Sequence, residues 1–177
     1  MEPVAVPEIV LGPPWPEGIA VVALDVLAPV NPADLAALED RRRPIVAWVA
    51  GECHGAAFAL ACMVDLLVAA PSASFGRPGP WTDLVLRRLP GIAGRKVAGY
   101  LALSGRSVGA ARAQDWGIVS RLAEDPAAEA VALAAALEGR SGVAVEVILG
   151  RAHRGATADH LQSELMSWPW AAGGQPG

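Results

Sequence analysis

Lysine, cysteine and aromatic residues are scarce in this 177-residue chain, and each shortage argues against a class of function. The chain has one lysine among 14 basic residues, carries a net charge of −4 and contains 5% aromatic residues. Because it lacks a basic face interleaved with aromatic rings, nucleic acid is not an expected partner. Charged residues make up only 18% of the chain and apolar residues 53%. This composition predicts a globular protein with a substantial core.

The two cysteines, Cys53 and Cys62, lie in one apolar neighbourhood without the spacing of a metal-binding pair. We expect reduced, buried thiols rather than a disulfide or a metal site. The longest apolar run, residues 55–70, is interrupted by Asp65, so no membrane span is expected. The first 18 residues contain no basic residue and no signal-peptide core. We therefore expect neither a signal nor a transit peptide, and a cytoplasmic location.

Short β-favouring runs alternate with helical patterns along the chain. Strands are predicted at residues 8–11, 18–26, 44–51, 65–70 and 118–123. Helices are predicted at residues 31–43, 56–64, 107–117 (with Ser107 as its cap), 126–139, 142–155 and 156–168. Residues 84–105 are predicted to form helical segments punctuated by glycine. The alternation implies βαβ crossovers and an α/β fold in one domain. That domain would comprise an α/β core to residue 124, a helical region over 125–170 and a tail over 171–177.

Two segments form the candidate site. Ligands of open α/β folds bind beyond the carboxyl ends of the strands. One segment, residues 51–57, follows the predicted strand at 44–51, and Gly55 allows a close approach of its backbone. The other is the loop at residues 75–83, which follows the strand at 65–70.

Two stretches of sequence carry a resemblance to a known family. They are "RPIVAWVAGECHGAAFALACMVDLLVAAPSASFGRPG", residues 43–79, and "LSGRSVGAARAQDWGIVSRLAE", residues 103–124. Both resemble the crotonase (enoyl-CoA hydratase/isomerase) superfamily without a gap. The residues in register are Asp65, Phe75, Gly76, Gly105, Ala110, Gly117 and Val119. The resemblance implies a crotonase-like ββα spiral core with C-terminal helices and a shortened N-terminal part.

The resemblance also implies a substrate class and an oxyanion site. Members of the family bind acyl thioesters of coenzyme A or of carrier proteins and stabilise an enolate-like anion with two backbone N–H groups. The first donor corresponds to Ala56 in Gly55-Ala56-Ala57. A helix N-terminus can supply such an N–H whatever its side chain. The alternative is that these small residues only pack the helix start against the sheet.

The second oxyanion donor depends on how residues 18–43 align with the family. In one alignment, residues 8–25 form the family's opening hairpin, and the next strand and its oxyanion loop are deleted. In the other, residues 19–25 are that later strand and the loop is shortened. Either way residues 19–25 must fill the strand's place, because deleting it would remove a row of hydrogen bonds. Ala33 is then the candidate donor, with an ordinary first-turn helix residue behind Pro32 as the alternative.

The two glutamates of the family's hydratases correspond here to Ala59 and Gly79, and neither residue can transfer a proton. Ordinary enoyl-CoA hydration is therefore the less favoured reaction. His54 is one substitute, since histidine titrates near neutral pH, and a packed or capping histidine is the alternative. Asp83 is the other, with an N-cap for the following helix as the alternative.

Other residues of the two segments are candidates for the substrate pocket. Cys53 lies near a helix start, where a thiol pKa can fall, and a buried structural thiol is the alternative. Trp81 can line an acyl pocket or simply pack the loop. Backbone atoms of Gly55 and Gly79 complete the predicted pocket.

The leading function is therefore an enolate-type step on an acyl-CoA or acyl-carrier thioester, such as isomerisation, decarboxylation, dehydration or a pathway-specific cyclisation. The alternatives are a non-catalytic partner or scaffold subunit and a cofactor-free small-molecule biosynthetic enzyme. No cofactor is expected beyond coenzyme A or a carrier as part of the substrate. A homo-oligomer, trimer or hexamer, is implied by the resemblance, with Leu161, Leu165 and Trp168 on one face of the last helix. A partner enzyme or carrier protein is a further candidate partner.

Overall fold

The computed structural model describes residues 19–24, Leu38 and residues 43–154. Leu38, within the helix predicted at residues 31–43, is helical and buried. The predicted strand at 8–11, the rest of that helix, the predicted helix at 156–168 and the tail lie outside the described residues.

The described residues form a parallel sheet and a smaller, mixed sheet. The strands are β1 Ala20–Ala23, β2 Ile45–Val49, β3 Glu52–His54, β4 Leu66–Ala69, β5 Ser74–Gly76, β6 Ser107–Gly109 and β7 Arg121–Leu122. The order of the parallel sheet is β1-β2-β4-β7. In the smaller sheet, β5 pairs with β3 in parallel and with β6 antiparallel. The predicted α/β class is confirmed, and the three strands of the smaller sheet were not predicted.

The helices described are α1 Ala56–Ala61, α2 Thr82–Ala93, α3 Arg95–Ser104, α4 Ala110–Asp115, α5 Pro126–Glu138 and α6 Gly142–Arg154. A short 3-10 helix, Gly79–Trp81, leads into α2. The helical segments punctuated by glycine that were predicted over 84–105 are confirmed as the two helices α2 and α3, with Gly94 between them at a φ of +84°. Ser107 is not the cap of α4, as it lies on β6 and Gly109 occupies the N-cap position.

The central strand β2 has the burial that its sequence predicts. A continuous apolar run is typical of a parallel strand covered on both faces. Ile45, Ala47 and Val49 belong to the larger core, whereas Val46 packs in a second cluster with residues of α5. β1 lies beside β2 in parallel, with Ala20 opposite Ile45. Residues 20–23 therefore fill the strand position next to β2, as both alignments require.

Asp65 joins the beginnings of β2 and β4. Its Oδ2 accepts a hydrogen bond from the Ile45 N–H at 2.8 Å, and its own N–H donates to the Ile45 carbonyl at 3.1 Å. Asp65→Ala removes the acceptor of a part-buried N–H, so we expect the free energy of unfolding to fall by about 1–3 kcal/mol in urea denaturation. Asp65→Asn retains a carbonyl oxygen and should lose less. Equal losses in the two variants would contradict this role of the hydrogen bond.

Candidate functional site

Gly55 forms the turn between β3 and α1. Its backbone angles, φ +57° and ψ −123°, are strained for any residue with a Cβ. A Cβ built there meets no heavy atom within 4 Å, so the described residues require glycine here for its backbone angles rather than for space. Among the described residues, no close approach is therefore made at the position that a Gly55 Cβ would occupy.

A backbone hydrogen bond joins the two predicted segments of the site. The N–H of Gly55 donates to the carbonyl of Arg77 at 3.0 Å. Arg77, which directly follows β5, has a positive φ of 48° although it is not glycine. The turn before α1 and the loop after β5 are thus held against each other, as the sequence predicted for the ends of neighbouring strands.

Ala56 is the first residue of α1. The first intrahelical bond at this end runs from the Ala59 N–H to the Gly55 carbonyl at 3.1 Å. The N–H groups of Ala56 and Ala57 precede that bond and have no acceptor within the helix. Ala57 also packs against the core, so the packing alternative holds for its side chain. The backbone geometry nevertheless leaves the Ala56 N–H available as a donor, while Ala33 lies outside the described residues and its role stays a prediction.

His54, the last residue of β3, contacts two polar side chains. Its Nε2 is 3.3 Å from Oγ of Ser74, and its Nδ1 is 3.6 Å from Oε2 of Glu52. The His54 side chain is 18% exposed and that of Glu52 is 81% exposed. The imidazole is therefore partly covered, hydrogen-bonded at Nε2, near a carboxylate at Nδ1 and accessible from solvent.

The pairing of β3 with β5 explains this grouping. Glu52 lies opposite Ser74, and His54 opposite Gly76, so these residues share one face of the small sheet. The residues between them, Cys53 and Phe75, are fully buried in the core. Neither strand was predicted, because a strand of three residues is too short to show a reliable alternation. The two-residue spacing of Glu52 and His54 could have indicated that they share one face of a strand. No feature of the sequence indicated that Ser74 would lie beside them.

Both cysteines are buried thiols outside any disulfide, as predicted. The side chain of Cys53 belongs to the hydrophobic core, with 0% of its surface exposed. Its thiol is therefore not a solvent-accessible group of the candidate pocket, and the placement matches the structural alternative. Burial raises the pKa of the Cys62 thiol to about 12, so that this group stays protonated at neutral pH.

Asp83 lies in the first turn of α2, not at its N-cap, which is Trp81. Its Oδ2 accepts a hydrogen bond from Nε of Arg87 at 3.0 Å, and its side chain is 83% exposed. The cap predicted as its alternative role is therefore wrong, because one residue separates it from the cap position. Among the described residues no hydrogen bond joins Asp83 to His54. A catalytic role for Asp83 stays a prediction.

The remaining candidates lie around the 3-10 helix and α1. Gly79, at the start of the 3-10 helix, has a φ of +53° and is exposed, and its carbonyl accepts a hydrogen bond from the Thr82 hydroxyl at 2.7 Å. Trp81 packs partly against the core, in agreement with the loop-packing alternative. Ala59 is completely buried on α1. The two positions that correspond to the family's glutamates therefore hold no carboxylate: Ala59 presents a buried methyl group, and Gly79 has no side chain.

Two searches of the described part of the chain were negative. Within residues 19–24, 38 and 43–154, no three His, Cys, Asp or Glu side chains are grouped as metal ligands. In the same residues, no helix has the length and apolar character needed to cross a bilayer.

Comparison with known proteins gives a consistent match. The family described as enoyl-CoA hydratase/isomerase matches residues 29–166, which contain every candidate site residue. The chain is 35% identical over 144 residues to the mevalonyl-coenzyme A hydratase sidH of Aspergillus fumigatus, covering 75% of this chain and 53% of that protein. It is 41% identical over 104 residues to the probable enoyl-CoA hydratase echA8 of Mycobacterium leprae, covering 52% of this chain and 39% of that protein. The chain thus spans about half the length, or less, of these curated relatives.

A solved structure extends the likeness to the fold. The crystal structure of a monofunctional enoyl CoA isomerase from M. smegmatis superposes with a TM-score of 0.66 at 28% sequence identity. The superposition covers 73% of this chain and 66% of that one.

Proposed function

Because the chain belongs to the enoyl-CoA hydratase/isomerase family, we propose that it acts on an acyl thioester of coenzyme A or of a carrier protein through an enolate-type step. Its α/β architecture is the crotonase-like fold predicted from the sequence. The thioester is the substrate class common to the names of the two curated relatives, both of which are called hydratases of CoA thioesters.

The observation that carries the proposal is the turn at Gly55 and Ala56. Removal of a proton next to a thioester carbonyl places negative charge on the carbonyl oxygen. An N–H fixed at a helix start stabilises that charge without rearranging during the reaction. The Gly55 hydrogen bond to Arg77 fixes the turn, and the Ala56 N–H has no acceptor within α1.

We propose His54 as the group that moves the proton, through Nε2. An enolate-type step needs one base, and histidine is the side chain that most often serves as a general acid or base. Its side chain is partly exposed, two residues before the proposed oxyanion donor. Ala59 and Gly79 supply no second acid, which favours isomerisation, decarboxylation or cyclisation over hydration by a pair of carboxylates and its reverse reaction. No cofactor beyond the thioester carrier is needed for such a step.

A partner or scaffold subunit is the second candidate function. The fully buried methyl group of Ala59 and the bare backbone of Gly79 favour it. We also propose self-association, because α6 exposes three apolar side chains: Val143 at 74%, Val147 at 51% and Ile148 at 64%. Contacts of this kind are common to catalytic and non-catalytic subunits, so oligomeric state does not separate the two functions.

A panel of acyl-CoA and acyl-carrier thioesters tests the proposal. Mass-detected binding and turnover by the full chain should identify at least one substrate. On that substrate we expect His54→Ala to lower the turnover rate by about 10²-fold, since a general acid or base contributes at least that much. Asp83→Asn is the comparison, because its exposed ion pair with Arg87 predicts a smaller loss.

The possible results separate the functions. A large loss in Asp83→Asn and none in His54→Ala would transfer the proton-moving role to Asp83. Neither binding nor turnover by correctly folded protein would overturn the proposal in favour of the partner subunit.

A further inference from the structure

We propose that Ser74 is a nucleophile activated by His54, and that this pair transfers the acyl group of an activated ester or thioester through an acyl-serine intermediate. The inference deepens the proposed function and rests on it only for the thioester substrate. It starts from the contacts of His54, whose ring nitrogens are 3.3 Å from the Ser74 hydroxyl and 3.6 Å from the Glu52 carboxylate.

The arrangement has the order of a nucleophile, a base and an orienting acid. Such a nucleophile lies within hydrogen-bonding reach of its base, and a third group orients the base. In this proposal the ring proton lies on Nδ1, which faces the Glu52 carboxylate at 3.6 Å, a distance longer than a hydrogen bond. The Nε2 lone pair of His54 then accepts the Ser74 hydroxyl proton. Parallel pairing holds the three residues together, because Glu52 and Ser74 are register partners and His54 follows on the same strand face.

The backbone of Ser74 shows that its hydroxyl is not needed for the local fold. Its N–H donates to the Gly51 carbonyl at 3.1 Å, and β5 is paired on both sides by β3 and β6. Within the described residues, the hydroxyl makes a hydrogen bond with the His54 ring. Ser74 is half-buried, on the face of the small sheet opposite the core residue Phe75. Its side chain is therefore partly exposed on the face of the small sheet that does not form the core.

The proposed step balances. The Ser74 Oγ attacks the acyl carbonyl carbon and forms a C–O bond while its proton passes to Nε2 of His54. The C–S bond of the thioester breaks, and the thiol leaves with that proton. Water then attacks the acyl-serine with His54 as base, which releases a carboxylic acid and restores the hydroxyl. No oxidant, reductant or metal is consumed.

Covalent labelling of the full chain tests the nucleophile without any thioester. The protein is incubated with a fluorophosphonate and, separately, with p-nitrophenyl acetate, and its adducts are mapped by peptide mass spectrometry. We expect a stable adduct on Ser74 with the fluorophosphonate. The acetyl-serine formed from p-nitrophenyl acetate is expected at the same residue when the reaction is stopped with acid before water releases the acetyl group. Ser74→Ala should give neither adduct, and His54→Ala should slow labelling by about 10²-fold. Glu52→Gln should slow it less, because the Glu52 side chain is 81% exposed and its contact to His54 is long.

Ser72→Ala is the matched control. Ser72 lies two residues before Ser74, is exposed, and donates its hydroxyl to the Ala50 carbonyl at 3.4 Å. This variant should be labelled like the wild type. Absence of an adduct in folded wild-type protein, or an adduct at another residue, would overturn the inference. Thioester turnover without a Ser74 adduct would also overturn the inference, but it would leave the enolate proposal standing. A Ser74 adduct without thioester binding would support Ser74 as a nucleophile and contradict the enolate proposal.

Discussion

Gly76→Ala is expected to lower the free energy of unfolding by about 3–5 kcal/mol, because both the backbone angles and the space at this position exclude a side chain. Gly76 has a φ of +136°, and a Cβ built on it lies 2.5 Å from the Arg106 carbonyl oxygen. That oxygen belongs to the backbone immediately before β6, so it cannot rotate away as the end of a flexible side chain can. A loss of this size is a large fraction of the stability of an ordinary domain.

The same substitution should disturb the candidate site. Gly76 ends β5, where it pairs with Ser107 of β6 and lies opposite His54 of β3. Relief of the clash requires β5 and β6 to separate locally, which moves Arg77 and the carbonyl that anchors the Gly55 turn. We therefore expect lower labelling or turnover even under conditions in which the variant remains folded.

Gly91→Ala is the control for the chemical change itself. Gly91 lies in α2, is exposed, and a Cβ built there meets no atom within 4 Å. Alanine in a helix is favoured over glycine by about 0.5–1 kcal/mol, so this variant should be slightly more stable than the wild type. Urea denaturation followed by circular dichroism measures both variants. Similar midpoints for the two would show that the contact at Gly76 relaxes at little cost.

The parallel sheet could be predicted because its strands have strong local signals. The apolar run of β2, bounded by Pro44 and Gly51, and that of β4 after Asp65 are each confirmed to within a residue or two of their ends. Asp125 and Pro126 marked the start of α5, where the Asp125 carboxylate accepts the Ala128 N–H at 3.0 Å. In these elements local preference and tertiary packing agree, which is why the sequence pattern is informative.

The site was predicted in outline and missed in its contacts. The two glycine-containing segments do meet, since strand ends in a parallel sheet lie at one edge. The contact of Ser74 with His54, 20 residues apart, depends on the register of two three-residue strands, for which the sequence has no local signal. The alternative role for Asp83, an N-cap, is wrong because the helix begins one residue before it. The start of a helix depends on turn geometry as well as on residue type, so the sequence alone did not determine it.

Ala56→Pro is expected to lower kcat on the turned-over thioester by about 10²–10³-fold, because proline removes the proposed oxyanion donor. The first helical position tolerates proline, since its N–H has no intrahelical acceptor. Gly55 before it has a ψ of −123°, which lies outside the helical range that a following proline disfavours. The helix should therefore persist, and the free energy of unfolding should change by no more than about 1 kcal/mol.

Ala56→Gly separates the role of the backbone from that of the side chain. It removes the methyl group and keeps the N–H, so kcat should remain close to that of the wild type. If Ala56 only packs the start of α1 against the sheet, removal of its methyl group should cost stability, and the proline variant should retain activity. A large loss of kcat confined to Ala56→Pro, with unchanged unfolding and a KM close to that of the wild type, would support a role for the N–H. Ala56→Gly keeps that N–H and loses only the methyl group, and an unchanged KM argues against a steric block of the substrate by the proline ring. Such a result would assign the charge-stabilising role to the backbone at the start of α1, which explains how the site can function with alanine at this position.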